Sequence, residues 1–184
     1  MGDDITPTLI SRYETQIGNT QDKLNVMVLE NHPADSRVKI SEDGVFQTLS
    51  SRMGTGGGNT PMIQENAVVR RLTPLECERL QGYPDGWTDI GDWVDSKGKK
   101  HKGESDSPRY KALGNSIALP FWEWMAKRMR PYLGNNPTMA SLFDGIGGFP
   151  LVFTRAGFTP VWASEIEEFP IAVTKIRFKE DVCT

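Results

Sequence analysis

Five residues, Asp144-Gly145-Ile146-Gly147-Gly148, and the acid Glu165, which lies 20 positions beyond Gly145, form the grouping with the clearest chemistry in this sequence. Closely spaced glycines build a tight turn and let a ligand approach the backbone. An acid at about that distance meets ribose hydroxyls in nucleotide-binding α/β folds. Gly147 and Gly148 are adjacent, so the full dinucleotide-binding spacing is missing, and no Lys-Ser/Thr pair follows as in a phosphate-binding loop. A ligand with a ribose and no phosphate fits this pattern, and S-adenosylmethionine is such a ligand. Its adenosine would meet Glu165 while its methionine half lies along the glycine turn. Taken alone, the segment also reads as a tight turn in an unrelated α/β protein.

The residues around this turn must position it. Residues 138–143 read as a short apolar strand, 149–156 as a helix closed by Gly157, 160–164 as a second strand and 168–178 as a second helix. Such an order is the front of a parallel α/β sheet, with ligand expected at the carboxyl ends of the strands. Upstream, Thr73 caps a helix, Pro74 takes its first position and Glu76 closes a capping box. That helix should run to about Gln81, with Leu75 and Leu80 on its buried side, and end at Gly82. Residues 83–87 carry proline and glycine for a type I turn, and 88–108 are polar and read as a loop or lid. After Gly114-Asn115-Ser116, the spacing of Ile117, Phe121, Trp124 or Met125, and Arg128 or Met129 predicts a helix burying that face, with Pro120 tilting or delaying its start. Residues 131–137 read as a linker.

Near the start, Thr8-Leu9-Ile10-Ser11-Arg12 through Asn19 aligns with Thr48-Leu49-Ser50-Ser51-Arg52 through Asn59, with seven of twelve positions identical at an offset of 40. Each copy reads as a strand, a loop and a second short strand, at 25–29 after the first copy and 61–63 after the second. Gly54, Gly56, Gly57 and Gly58 suit either a flexible hairpin loop or a loop that approaches DNA.

The chain of 184 residues is 38% hydrophobic and 24% charged, which excludes a wholly disordered polymer and is enough for a core. No apolar run approaches the roughly 18–20 residues of a membrane span. The opening Met1-Gly2-Asp3-Asp4 lacks the basic and apolar regions of a signal peptide. With two cysteines there is no disulfide framework, so the expectation is a reduced, cytoplasmic protein away from membranes. Net charge is -4 over residues 1–50, +3 over 51–130 and -2 over the remainder. A nucleic-acid partner would therefore favour the middle, which holds Arg70-Arg71, although the 97–102 lysine run also reads as a solvated loop tip.

Four segments resemble the DNA cytosine-5 methyltransferases. Leu142-Phe143-Asp144-Gly145-Ile146-Gly147-Gly148-Phe149 is similar to their first motif and Trp162-Ala163-Ser164-Glu165-Ile166 to their second. Residues Arg71-Leu72-Thr73-Pro74-Leu75-Glu76 through Pro84 resemble the ninth, and Tyr110-Lys111-Ala112-Leu113-Gly114-Asn115-Ser116 the tenth. Residues 48–59 are similar to the end of the target-recognition region. The family order runs from first motif to tenth. Here the ninth and tenth come first, as in a circular permutation joined at 131–137.

The resemblance implies a partial Rossmann-like α/β methyltransferase fold that takes S-adenosylmethionine. It also implies four parts: a β-rich recognition-like segment at 1–69, a helical region at 70–130, the linker at 131–137 and the cofactor-binding strands and helices at 138–184. Phe143 and Ile166 would flank adenine and Glu165 would bind ribose. Gly145, Gly147 and Gly148 would line the turn, and Asn115 and Ser116 would reach the methionine end. Thr48, Arg52, Gly56, Gly57, Arg70 and Arg71 are the DNA-contact candidates, with double-stranded DNA as the partner.

The family adds a cysteine thiolate to carbon 6 of a flipped cytosine, because carbon 5 is a poor nucleophile. That cysteine follows a proline, and a Glu-Asn-Val segment assists it. Neither feature is present here. Cys77 sits in the ninth-motif helix, Cys183 has no preceding proline, and Glu30-Asn31-His32 and Glu65-Asn66-Ala67 are superficial matches read as loop residues. The expectation is a chain with no catalytic residue and no metal site that supplies part of a methyltransferase, either as a truncated product or as one subunit of a split enzyme whose second polypeptide carries the missing motifs. A non-catalytic DNA- or cofactor-binding module is the alternative. The glycine spacing disfavours a third reading, a Rossmann-like oxidoreductase.

Overall fold

The structure is a computed structural model and describes residues 27–32, 37–41, 46, 48–54, 60–65 and 68–178. The first repeat copy, Gly56 to Gly58, the Met1-Gly2 start and Cys183 lie outside them.

An antiparallel sheet of order β2-β1-β3-β4 comes first. Its strands are β1 (Met27–His32), β2 (Arg37–Ser41), β3 (Met62–Glu65) and β4 (Val68–Arg71). The strands following the two repeat copies are neighbours here, with Val28 opposite Ile63. Glu30-Asn31-His32 falls in β1 rather than in a loop, and Glu65 ends β3. The expected strand at the start of the second copy is absent. Ser51–Gly54 instead forms a single 3-10 turn that buries Met53. Helix packing overrides strand propensity at this point. The 3-10 turn lies against α2 (Ser107–Gly114), and a Cβ on Gly114 would overlap the Ser50 carbonyl. Only glycine allows so close a crossing.

Helix α1 (Pro74–Gln81) has the start and stop that its sequence predicts. Thr73 Oγ1 accepts the Glu76 N–H at 3.3 Å, and Glu76 accepts the Thr73 N–H at 2.8 Å. Gly82, in the left-handed region at φ 83°, donates to the Arg79 carbonyl. Its buried side differs from the expectation. Cys77 and Glu78 are fully buried, while Leu75 and Leu80 are half-buried. In the segment that follows, the hydrogen-bonded turn closes from the Trp87 N–H to the Pro84 carbonyl at 3.2 Å, and Gly86 at φ 72° takes the position where a type II turn, not a type I turn, has positive φ.

The polar stretch 88–108 is not a plain loop. It contains a short hairpin, β5 (Trp93–Val94) with β6 (Lys100–His101), and the start of α2. Trp93 stacks on His101 at 4.1 Å, and the His101 ring bonds to Asp95 at 2.9 Å. That bond and two backbone N–H donors hold the Asp95 carboxyl below its usual range. The lysines surround the exposed tip of this hairpin. The N–H and hydroxyl of Ser96 clip the tip to Glu168.

Helix α3 (Leu119–Met129) buries a different face from the one its bulky residues suggest. Leu119 and Ala126 are buried and Trp122 packs on Phe149, whereas Phe121, Trp124 and Met129 are exposed. The helix begins at Leu119 with Pro120 in its first turn, and it packs against α4 (Gly148–Arg155). Arg128 lies over the exposed Trp124 ring at 5.0 Å.

The last part is β7 (Thr138–Leu142), α4, β8 (Thr159–Ser164) and α5 (Glu168–Phe178). The two strands are parallel, with Leu142 opposite Ser164. Parallel pairing through an intervening helix is the βαβ unit expected from the alternation of strand and helix. Leu113, Leu119, Ile146, Val152, Val173 and Tyr83 join the helices and the glycine turn into one core.

Candidate functional site

Two parallel strands expose their carboxyl ends at one place, and backbone geometry there is unusual. Phe143, the residue after β7, adopts φ 53° and is 79% exposed. A bulky residue in the left-handed region is costly and concentrates where a ligand is bound. The Asp144 N–H donates to the Ser164 carbonyl at 2.9 Å, joining the exits of β7 and β8. Ile166, just past β8, is 83% exposed. Two large apolar side chains thus stand in solvent at the ends of the paired strands β7 and β8.

Glu165 organises this edge. One carboxylate oxygen accepts the Gly145 N–H at 2.7 Å, and the other accepts those of Ile166 and Glu167 at 2.7 and 2.9 Å. The glycine turn is then shaped from behind. A Cβ on Gly147, at φ 81°, would strike the Phe178 ring, and one on Gly148 would strike the Tyr83 hydroxyl. Gly145 has open space in front of it. Trp87 Nε1 donates to the Ile146 carbonyl at 2.8 Å.

Tyr83 and Trp87 come from the turn after α1, far from the glycines in sequence. Tyr83 is buried, shares a short hydrogen bond with Ser116, and is kept protonated because burial pushes its hydroxyl up. Ser116 is thereby fixed against the glycine turn, with Asn115 exposed beside it. Lys111 of the same segment pairs with Glu167 at 2.9 Å. Arg177 of α5 closes the assembly from the other side, donating to the carbonyls of Gly86, Trp87 and Asp89. The segments on either side of 131–137 are therefore brought together. Phe143, Gly145, Gly147, Gly148, Glu165 and Ile166 form one edge, and Asn115 and Ser116 adjoin it through Tyr83.

Asp144 is the residue whose role the sequence did not reveal. It is buried, and Ser141 donates to one of its oxygens at 2.5 Å, while the other has no hydrogen-bond partner. Burial first, then the nearby Glu165 charge, pushes its carboxyl up to about 6 against the Ser141 bond. Tyr83 and Trp87 did have a visible signal: two aromatics flanking Pro84-Asp85-Gly86, a spacing that turns both rings inward.

The DNA-contact candidates fare differently. Thr48 and Arg52 are exposed on and beside the 3-10 turn, and Arg71 is exposed on β4. Arg70 is committed to the cap of α1, forming a fork on Glu76 at 2.7 and 2.8 Å. Burial would raise the Glu76 carboxyl, but the Arg70 fork and the Thr73 N–H outweigh it and hold it low. Among the described residues no group of His, Cys, Asp and Glu is arranged for a metal, and no helix is long and apolar enough to cross a membrane. Cys77 is fully buried, and burial with Glu76 and Glu78 nearby pushes its thiol up to about 12.

The sequence profile described as C-5 cytosine-specific DNA methylase matches residues 6–130 and 138–184. The chain is 34% identical over 83 residues to Type II methyltransferase M.Bsp6I of Bacillus sp. (strain RFL6), covering 45% of this chain and 22% of that protein. It is 31% identical over 97 residues to Type II methyltransferase M.HhaI of Haemophilus parahaemolyticus, covering 53% and 26%. A protein of Escherichia phage P1 named DNA N-6-adenine-methyltransferase is 41% identical over 82 residues, covering 34% and 11%. The chain therefore spans between about a tenth and a quarter of the length of these relatives.

Proposed function

The chain belongs to the C-5 cytosine-specific DNA methylase family, and on that premise we propose that it is part of an enzyme transferring a methyl group from S-adenosylmethionine to cytosine in double-stranded DNA. It contributes the cofactor-facing edge and part of the DNA-recognition surface, but not the nucleophile. When bound, S-adenosylmethionine supplies the electrophilic methyl group. The residues present fit it: the glycine turn admits close approach, Glu165 is held by three N–H donors, and Phe143 and Ile166 offer exposed apolar surface for an adenine. Gly145, Gly147 and Gly148 line the methionine half, with Asn115 and Ser116 at its end.

The observation that carries this reading is the contact of the 83–116 segment with the glycine turn, through Tyr83 against Gly148 and Trp87 on Ile146. It supports a permuted order in which 131–137 joins neighbouring ends, as do the two matched blocks that divide at that place. The four-stranded β sheet supports a recognition-like segment before residue 70, with the exposed Thr48, Arg52 and Arg71 as its DNA contacts, Gly56 and Gly57 as further candidates outside the described residues, and Arg70 bracing the cap. The parallel pair β7 and β8, joined through α4, supports a partial Rossmann-like layer. Cys77 holds its proton at neutral pH and is buried, so it cannot be the attacking thiolate. A reduced, cytoplasmic setting accords with a DNA substrate.

Titration of the full chain with S-adenosylmethionine tests the proposal. Binding in the wild type and its loss in Glu165→Ala are expected, and no binding in the wild type overturns the cofactor assignment. Methyl transfer to cytosine by the purified chain with Cys77 and Cys183 replaced would refute the placing of the nucleophile elsewhere.

A further inference from the structure

Two carboxylates adjoin the glycine turn, and their surroundings differ. Glu165 accepts three backbone N–H donors. Asp144, only 7% exposed, accepts a single hydroxyl from Ser141 and leaves its second oxygen without a partner. No lysine, arginine or histidine among the described residues pairs with either of them, and Lys111 of the opposing wall is paired with Glu167. A buried carboxylate with no counter-charge is costly, and asparagine of the same shape would keep the Ser141 bond without that cost. The cost attaches to the negative charge and not to the shape of the side chain. A ligand that brings positive charge to this turn supplies a reason for the charge.

Resting on the reading that this edge takes S-adenosylmethionine, we propose that Asp144 is a specificity-determining residue that favours the positively charged sulfonium of the cofactor over the neutral thioether of S-adenosylhomocysteine. Both ligands carry the same adenosine, carboxylate and ammonium. Their affinity ratio therefore isolates the sulfur's charge from every other contact. Asp144 acts by its field across the turn, where the low dielectric of the core behind it strengthens the effect. The groups facing it are Glu165 from the end of β8, Ser141 from β7, and Tyr83 from the turn after α1. Tyr83 remains protonated, so Asp144 and Glu165 carry the negative charge here. In the free protein burial, and after it the Glu165 charge, keep Asp144 partly protonated near pH 6.

The experiment is calorimetric titration of the full chain, wild type and Asp144→Asn, with each of the two ligands at neutral pH. The variant should lose S-adenosylmethionine affinity by about tenfold and S-adenosylhomocysteine affinity by much less, the scale of one unit charge acting on another across a partly buried site. An affinity ratio that is the same in both proteins overturns the proposal. Should Asp144→Asn fail to fold, the wild-type ratio measured from about pH 5 to about pH 7.5 decides instead. It should rise as Asp144 ionises, and a flat ratio overturns the idea. Binding of neither ligand by the wild type removes the proposed cofactor and this inference together. Binding of both with an unchanged ratio removes this inference alone.

Discussion

The turn after α1 and the turn after β7 lie against each other, yet they are built on opposite terms. In the first, buried Glu78 accepts the N–H groups of Gly86 and Thr88 and the Thr88 hydroxyl, with the Arg109 guanidinium 3.5 Å away. Every polar group named there has a partner, and Tyr83 and Trp87 are buried. In the second, Asp144 has an orphaned oxygen, Phe143 holds a left-handed backbone, and Phe143 and Ile166 stand in solvent. Satisfied groups are what a scaffold requires, and the second turn departs from that rule, as does Gln81 Oε1 at the end of α1. The first turn exists to hold the second in its strained form.

If that contrast is right, damage to the scaffold should cost stability and damage to the edge should cost binding. Glu78→Ala has the largest expected effect, a loss of roughly 3–5 kcal/mol in denaturant unfolding, because three donors and Arg109 lose their acceptor in the interior. A loss below about 1 kcal/mol would break the comparison at its stronger end.

Phe143→Ala should act in the opposite way. Its exposed ring leaves stability within about 0.5 kcal/mol of the wild type by thermal melting. The same change should weaken S-adenosylmethionine binding by about 2 kcal/mol, the worth of burying such a ring against a ligand. Equal effects on both would make Phe143 a packing residue.

Asp144→Asn should stabilise the free protein at neutral pH by about 1–2 kcal/mol. The sign follows from linkage. The folded carboxyl is raised to about 6, so the native state holds a proton that the unfolded chain has released. Native stability therefore falls as pH rises from the ordinary carboxylate range to about 6, and asparagine does not titrate. The gain should vanish below about pH 4, which melting curves across pH would detect.

Tyr83→Phe sharpens the comparison with the smallest effect. Losing the hydroxyl bond to Ser116 should cost about 1 kcal/mol of stability. Thermal melting of the variant reads it, and a loss above about 3 kcal/mol would mean that the hydroxyl does more than join the two segments.

Much of this arrangement was legible from local signals. Thr73, Pro74, Glu76 and Gly82 delimit α1 through hydrogen bonds made within a few residues, and the β7-α4-β8-α5 order follows from patterning with glycine turns. The Glu165 distance from Gly145 foretold an acid across the turn because one βαβ unit sets that separation. Where partners are distant the sequence misled. The bulk of Phe121 and Trp124 pointed to a buried face, while the residues buried are Leu119 and Ala126, and Trp122 is the ring that meets α4. The Thr48 segment has a strand's composition but folds as a 3-10 turn under α2. Arg70 resembled a free cation until Glu76 was seen beside it.

The sequence by itself determined the elements, their caps and the chemistry of the glycine turn, since these depend on neighbours within one or two helical turns. Tertiary structure alone decided that Tyr83 would back Gly148, that Ser116 would be tied to the turn, and that Asp144 would be buried with half its carboxylate unpaired. Those outcomes depend on which distant side chains displace water from a given atom, and no local pattern encodes that displacement.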